Sequence, residues 1–254
     1  MKASKPLKKE NLWRIAAVLF WLLAWQGAAL LLHSFLLSSP AEVVRRLVEL
    51  LGDARYYQAL GFSFFRIAGG FLLGTALGAL LAVVAARWRP VEYLLRPLML
   101  TVKSVPVASF IILALIWLNS RRLNTFISFL MVLPIVYGNL LEGLKGESRE
   151  LTEMARMFRV SPLRRLLYVE LPQLKPALLS ALSLGLGMSW KSGIAAEVIG
   201  IPTGSTGAML YQAKVYLDMS ALYAWTLSIV LVSLIFEKAV LFLVKRAFAR
   251  LERL

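Results

Sequence analysis

The sequence contains no cysteine and one histidine, His33. Disulfide staples and thiolate metal chemistry are therefore excluded. Imidazole chemistry is reduced to a single residue at the end of an apolar run, where it reads as interfacial. No metal site and no cofactor are expected. Acidic residues are scarce, 14 against 29 Lys and Arg, for a formal net charge of +15. Charged residues make up only 17% of the 254 residues and hydrophobic ones 59%, with a mean hydropathy of +0.71. A water-soluble domain of this length is far more polar, so the bilayer is the natural solvent. The excess positive charge would suit nucleic acid only as a basic stripe on a soluble fold. Here the basic residues flank apolar runs, which fits lipid headgroups and topology, so membrane lipid and not nucleic acid is the expected partner.

A nucleotide site is missing too. The run Gly200-Ile201-Pro202-Thr203-Gly204-Ser205-Thr206-Gly207 has the glycines of a phosphate loop but no Lys after the second Gly. It reads as a turn-rich segment shaping a gate or docking surface, and any ATP must be hydrolysed by another polypeptide.

What the chain has is long apolar runs. A bilayer core takes about 20 apolar residues per helix, and six segments qualify: 12–33, 60–86, 97–118, 124–144, 176–200 and 219–244. The expected fold is an all-α membrane protein with six transmembrane helices in a single domain, 1–254. The first run follows Lys2, Lys5, Lys8 and Lys9 but exceeds a secretory signal core, and no small-x-small site follows it, so it reads as a retained span. Between the first two runs, Ser39 and Glu42 have capping-box spacing with Pro40 at the first helical position. Val43, Val44, Leu47, Leu50 and Leu51 then recur at helical spacing, predicting a short amphipathic helix on the membrane surface. Gly70, Gly74 and Gly78 recur every four residues, as close helix packing requires. Pro106 and Pro134 should bend the third and fourth runs.

Placing the N-terminus inside leaves nineteen basic residues on the inner side and six on the outer. That bias puts both termini and the 145–175 loop in the cytoplasm. Charges within the runs would each cost roughly 2.5–3.5 kcal/mol at a helix centre. Arg66 and Lys103 lie near run ends and can snorkel; Glu237 and Lys238 receive no function. Lys191 and Glu197 lie six apart in the fifth run, too far round for an i,i+4 pair. One reading has Trp190, Lys191, Ser192 and Glu197 line a translocation path that favours an anion. The other has charges satisfied by neighbouring helices.

The 145–175 loop carries seven of the basic residues. Glu150 to Phe158 has good helix propensity, Pro162 forces a turn, and Leu163 to Val169 can form a second helix. Met154, Met157 and Phe158 are apolar anchors for a partner's groove. Within it, Glu153-Met154-Ala155-Arg156-Met157-Phe158-Arg159, then Val169-Glu170-Leu171-Pro172, resembles the "EAA" coupling loop of permease subunits in binding-protein-dependent ABC importers. In that family Glu-Ala-Ala is followed by Gly six residues after the Glu, and by an aliphatic-x-Leu-Pro end. Glu153, Ala155, Val169, Leu171 and Pro172 match; Met154 replaces an Ala, and Arg159 stands at the Gly. Arg159 adopts positive φ less cheaply, so the turn is expected at 160–162, or Arg159 meets the ATPase directly.

The resemblance extends over about 58–244. Phe62-Ser63-Phe64-Phe65-Arg66-Ile67-Ala68-Gly69-Gly70-Phe71, Leu95-Arg96-Pro97, Lys103-Ser104-Val105-Pro106 and Ala195-Ala196-Glu197 are most similar to the sulfonate, taurine, nitrate and bicarbonate branch. Trp117-Leu118-Asn119-Ser120-Arg121-Arg122 departs from that branch's Trp-Phe-Gly-x-Gly. The resemblance implies the type I importer permease fold in a bacterial inner membrane, and a homodimer that has no ATPase of its own. It also implies cytoplasmic ABC ATPase subunits gripping Glu153, Ala155, Met157, Phe158, Arg159, Leu171 and Pro172, and an extracytoplasmic binding protein delivering a small anion. A heterocyclic vitamin precursor is the alternative cargo. From other classes, a secondary transporter or channel would need neither ATPase nor loop, and a scaffold would leave Lys191 and Pro106 unexplained.

Overall fold

The computed structural model describes residues 6–32, 37–146 and 148–251. Lys2, Lys5, His33 and Arg253 lie outside the described residues, as do the side chains of Lys8, Lys9, Arg14, Arg149 and Arg156. Among the described residues all regular structure is helical. The helices are α1 (Pro6–Leu32), α2 (Pro40–Leu51), α3 (Ala54–Arg87), α4 (Arg89–Ser104), α5 (Val107–Trp117) and α6 (Ser120–Lys145). After them come α7 (Arg149–Met157), α8 (Pro162–Arg165), a wide π-turn (Leu166–Glu170), α9 (Leu171–Gly200), α10 (Thr206–Val215) and α11 (Met219–Leu251).

The core is three helices, α3, α6 and α9, packed along their lengths. The glycine stripe makes this possible. A Cβ on Gly70 would lie 2.4 Å from the Thr125 carbonyl oxygen, one on Gly74 2.8 Å from that of Phe129, and one on Gly78 2.9 Å from that of Leu133. The two sets of numbers rise together, so α3 and α6 run in the same direction, backbone against backbone. Helix α9 runs the opposite way: a Cβ on Gly193 would meet Ser128 Oγ at 2.5 Å, while one on Gly143 would meet Ala177 Cβ at 2.7 Å. Phe71, Val132, Val136, Ala181 and Leu186 fill the seam between them.

Among the described residues three helices, α3, α6 and α11, are long and apolar enough to cross a membrane. The apolar part of α1, Ile15–Leu31, is shorter. Helix α9 has the length, but Ser180, Ser183, Ser189, Lys191, Ser192 and Glu197 dilute its apolar character. The segment expected as one span over 97–118 is broken: α4 and α5 meet at 104°. Pro106 is the cause. It has no N–H for the ladder, and Val105 before it is forced extended, at φ −79° and ψ 133°. Pro134, by contrast, remains inside α6.

At one end of the bundle α2 lies across the start of α11. The Ser39–Glu42 capping box forms as expected: the Glu42 N–H donates to Ser39 Oγ at 3.3 Å, and the Ser39 N–H donates to Glu42 Oε2 at 2.9 Å. Arg46 donates to Glu49 Oε2 and Asp218 Oδ2, both at 2.9 Å. Asp218 also caps α11, accepting the Ala221 N–H at 3.0 Å and the Ser220 hydroxyl at 2.9 Å. Partial burial works to raise the Asp218 carboxyl, but these hydrogen bonds and the Arg46 charge outweigh it and hold it below the usual range. At the other end Lys145 pairs with Glu92, tying the end of α6 to α4.

A carboxyl held below its unfolded value stabilises above that value and loses its contribution as pH falls through the folded one. The α2–α11 clamp should hold at neutral pH and loosen below about pH 4, with Arg46 charged throughout. Hydrogen exchange of α2 amides should show protection lost on acidification. Asp218→Asn should be less protected than the wild type at pH 7 and equal to it in acid; protection independent of pH in the wild type would contradict the clamp.

Candidate functional site

Two regions hold the residues singled out in the sequence, one in the 145–175 loop and one in α9. In the loop, Ser148 Oγ accepts the Leu151 N–H at 3.3 Å as α7 begins, and the Ser148 N–H donates to Gln173 Oε1 at 2.9 Å. Gln173 in turn donates to the Val169 carbonyl at 2.9 Å. One side chain thus staples the start of α7 to the base of α9. Leu171 and Pro172 form the first turn of α9, where proline's missing N–H costs nothing. Arg165 bonds Glu170 Oε1 at 2.7 Å across the π-turn, against which α7 packs.

The apolar residues of α7 divide sharply. Ala155 is 3% exposed, whereas Met157 is 85% and Phe158 77% exposed, with Met154 beside them at i−3 and i−4. Glu153 is exposed as well. Leaving a Met and a Phe this open on a polar loop is costly unless another surface covers them.

The turn after α7 falls at Arg159, not at 160–162. Arg159 has φ 49°, the left-handed region. The Phe158 N–H reaches the Met154 carbonyl at 3.0 Å, and the Val160 N–H reaches back five residues to the Ala155 carbonyl at 3.0 Å. This is the hydrogen-bond pattern of a helix end normally closed by glycine. Arginine pays about 1 kcal/mol or more in that conformation, and its side chain is left exposed at the tip.

In α9 the four residues read as a path point in different directions. Lys191 alone reaches a surface. Trp190 is buried against Phe64 and Phe236, with ring centroids 6.2 and 6.4 Å away, and its Nε1 has no hydrogen-bond partner. Ser192 is buried and donates to the Met188 carbonyl at 2.8 Å. Glu197 is wholly buried.

Glu197 is the centre of a network that composition alone did not reveal. Its Oε1 accepts from Asn124 Nδ2 at 2.6 Å; its Oε2 accepts from the Ser63 hydroxyl at 2.7 Å and the Gly207 N–H at 3.0 Å. Ser63 Oγ in turn accepts the Thr206 N–H at 3.0 Å, and the Thr206 hydroxyl donates to the Ala59 carbonyl at 3.0 Å. Four helices, α3, α6, α9 and α10, therefore meet on one carboxylate. The chain returns to it because Ile201 ends α9 at φ 45°, a strained setting for a β-branched residue. Gly207 then passes so close that a Cβ there would lie 2.3 Å from Glu197 Cβ. The helix N-terminus of α10 adds its positive end to the same group. Sequence reasoning had Ser63 only as part of a motif and did not single out Asn124, Thr206 or Gly207 as partners; a polar residue in each of several apolar runs was the available signal.

A family model described as "Binding-protein-dependent transport system inner membrane component" matches residues 74–252. The chain is similar to a Bacillus subtilis permease, SsuC, whose name assigns it to aliphatic sulfonates transport: 26% identical over 226 residues, 87% of this chain and 81% of that one. It is also similar to the taurine transport system permease protein TauC of Escherichia coli, 24% identical over 240 residues, 91% of this chain and 87% of that one.

Glu197→Ala would strand the Asn124, Ser63 and Gly207 donors in an apolar interior, at about 2–5 kcal/mol in total. Gly207→Ala should cost as much by separating α10 from α9. Both should lower the thermal unfolding temperature of the detergent-solubilised protein, whereas Lys191→Met should not; unaltered melting of the first two would refute the network.

Proposed function

The chain belongs to the family of inner membrane components of binding-protein-dependent transport systems, and on that premise we propose that it is the permease subunit of an ATP-driven importer. Its cargo in this reading is a small anion of the sulfonate or taurine kind, the substrates named for its relatives. A soluble binding protein delivers the anion outside, and two ATPase subunits work inside. The permease acts as a homodimer with both termini cytoplasmic, and the α7 end of the bundle faces the ATPases.

The observation that carries this reading is the exposed apolar tip of α7. Met157 and Phe158 stand open on a loop tied to α9 by the Ser148–Gln173 hydrogen bond. A hydrophobic pair on a braced arm suits a partner that pushes as well as binds. Force on α7 would pass through Gln173 and the π-turn to α9, and α9 reaches the opposite end at Glu197. Lys191, the one surface cation of the α9 quartet, is the group of that quartet that would favour an anion. The ATP requirement separates this reading from a secondary transporter, which would need neither partner nor arm.

In proteoliposomes holding the permease, its ATPase and its binding protein, taurine or an alkanesulfonate should accumulate only with ATP inside the ATPase compartment. Lys191→Met should assemble normally and lose uptake by about tenfold or more. Uptake without ATP or ATPase, driven by an ion gradient alone, would overturn the proposal.

A further inference from the structure

Along the outer flank of α3 and α6 runs a groove of about 730 Å³ that neither the network nor the loop uses. Its floor is apolar: Leu73, Leu77 and Leu80 from α3, with Phe126 and Phe129 from α6. These three leucines share one stripe of α3, Leu73 and Leu80 each 59% exposed and Leu77 between them 37%. Its mouth carries three guanidiniums, Arg66, Arg121 and Arg122.

The mouth is organised. Arg66 Nε donates to the Arg121 carbonyl at 2.8 Å, and its guanidinium lies over the Phe62 ring, 3.5 Å from the centroid. Arg121 and Arg122 are exposed in the first turn of α6. Among the described residues, none of the three positive charges at the rim of the apolar trough has a carboxylate in ion-pair contact, and Arg66 senses the buried Glu197 only at a distance.

Dimensions identify what fits. Leu80 lies fourteen residues beyond Arg66, about 21 Å along the helix at 1.5 Å per residue. One leaflet of hydrocarbon is about 15 Å deep, half the bilayer core. An acyl chain can thus lie along the leucines with its head among the arginines. Guanidinium forks match phosphate oxygens in a bidentate way, and three of them exceed what a zwitterionic head needs. We infer that the groove is a binding site for an anionic glycerophospholipid, its phosphate held by Arg66, Arg121 and Arg122 and one acyl chain seated on Leu73, Leu77 and Leu80. The inference rests on a membrane setting for the chain but on neither its cargo nor its ATPase.

The test is native mass spectrometry of the full-length protein, stripped of lipid in mild detergent and titrated with phosphatidylglycerol or phosphatidylcholine. The wild type should retain phosphatidylglycerol under conditions that remove phosphatidylcholine. Arg121→Gln/Arg122→Gln should weaken that retention about tenfold. Leu77→Trp leaves every charge in place and fills the trough; it should abolish retention with an unchanged elution profile, and it decides the matter if the arginine variant does not fold. Equal binding of both lipids, or undiminished binding in Leu77→Trp, overturns the inference. So does an interchain disulfide formed in native membranes by Leu77→Cys, which would mean that a second copy covers the groove. Because no step requires transport, a negative result here leaves the importer reading standing, and loss of that reading leaves this one.

Discussion

One carboxylate shut inside an apolar bundle constrains the rest of the molecule. Glu197 is tolerable there only because Asn124, Ser63 and Gly207 supply donors from three other elements, since a buried charge without partners is far costlier than any gain from packing. Those donors fix the relative depth of α3, α6, α9 and α10 at one end. The glycine stripe then sets how closely α3 and α6 approach below it. Even the strained turn at Ile201 follows, because without it the Gly207 N–H could not fold back onto the carboxylate.

The opposite end is built on the reverse logic. There Met157 and Phe158 project outward, and Arg159 holds a conformation that glycine would adopt more cheaply. Backbone strain beside exposed apolar side chains is a pattern of surfaces shaped for a partner. The same helix, α9, begins at this open arm and ends at the sealed network. In the proposed reading, α9 carries a displacement from the exposed tip to this fixed joint.

Local patterns were legible in the sequence and long-range pairings were not. The capping box at Ser39 and Glu42, the stripe at Gly70, Gly74 and Gly78, and the break at Pro106 are written in short spacings and appear as read, although Pro106 parts its segment into two helices instead of merely bending it. Glu197 reads as a charge in a span, but two of its three donors lie 73 and 134 residues away in sequence, beyond any periodicity. The same limit explains why Trp190 and Lys191, adjacent in sequence, could not be told apart as buried and exposed. Arg159 failed for a different reason. Propensity argued against a left-handed arginine, and the hydrogen bond from Val160 to Ala155 overrode it.

The claim on which the functional account turns is that the tip of α7 is the grip for a separate ATPase. Co-purification of the ATPase with a permease carrying Met157→Asp and Phe158→Asp tests it most directly. Both side chains are solvent-exposed, so the variant should fold, melt and insert like the wild type. The account predicts that the variant loses the ATPase while the wild type retains it; an ATPase held equally well by both would contradict the account.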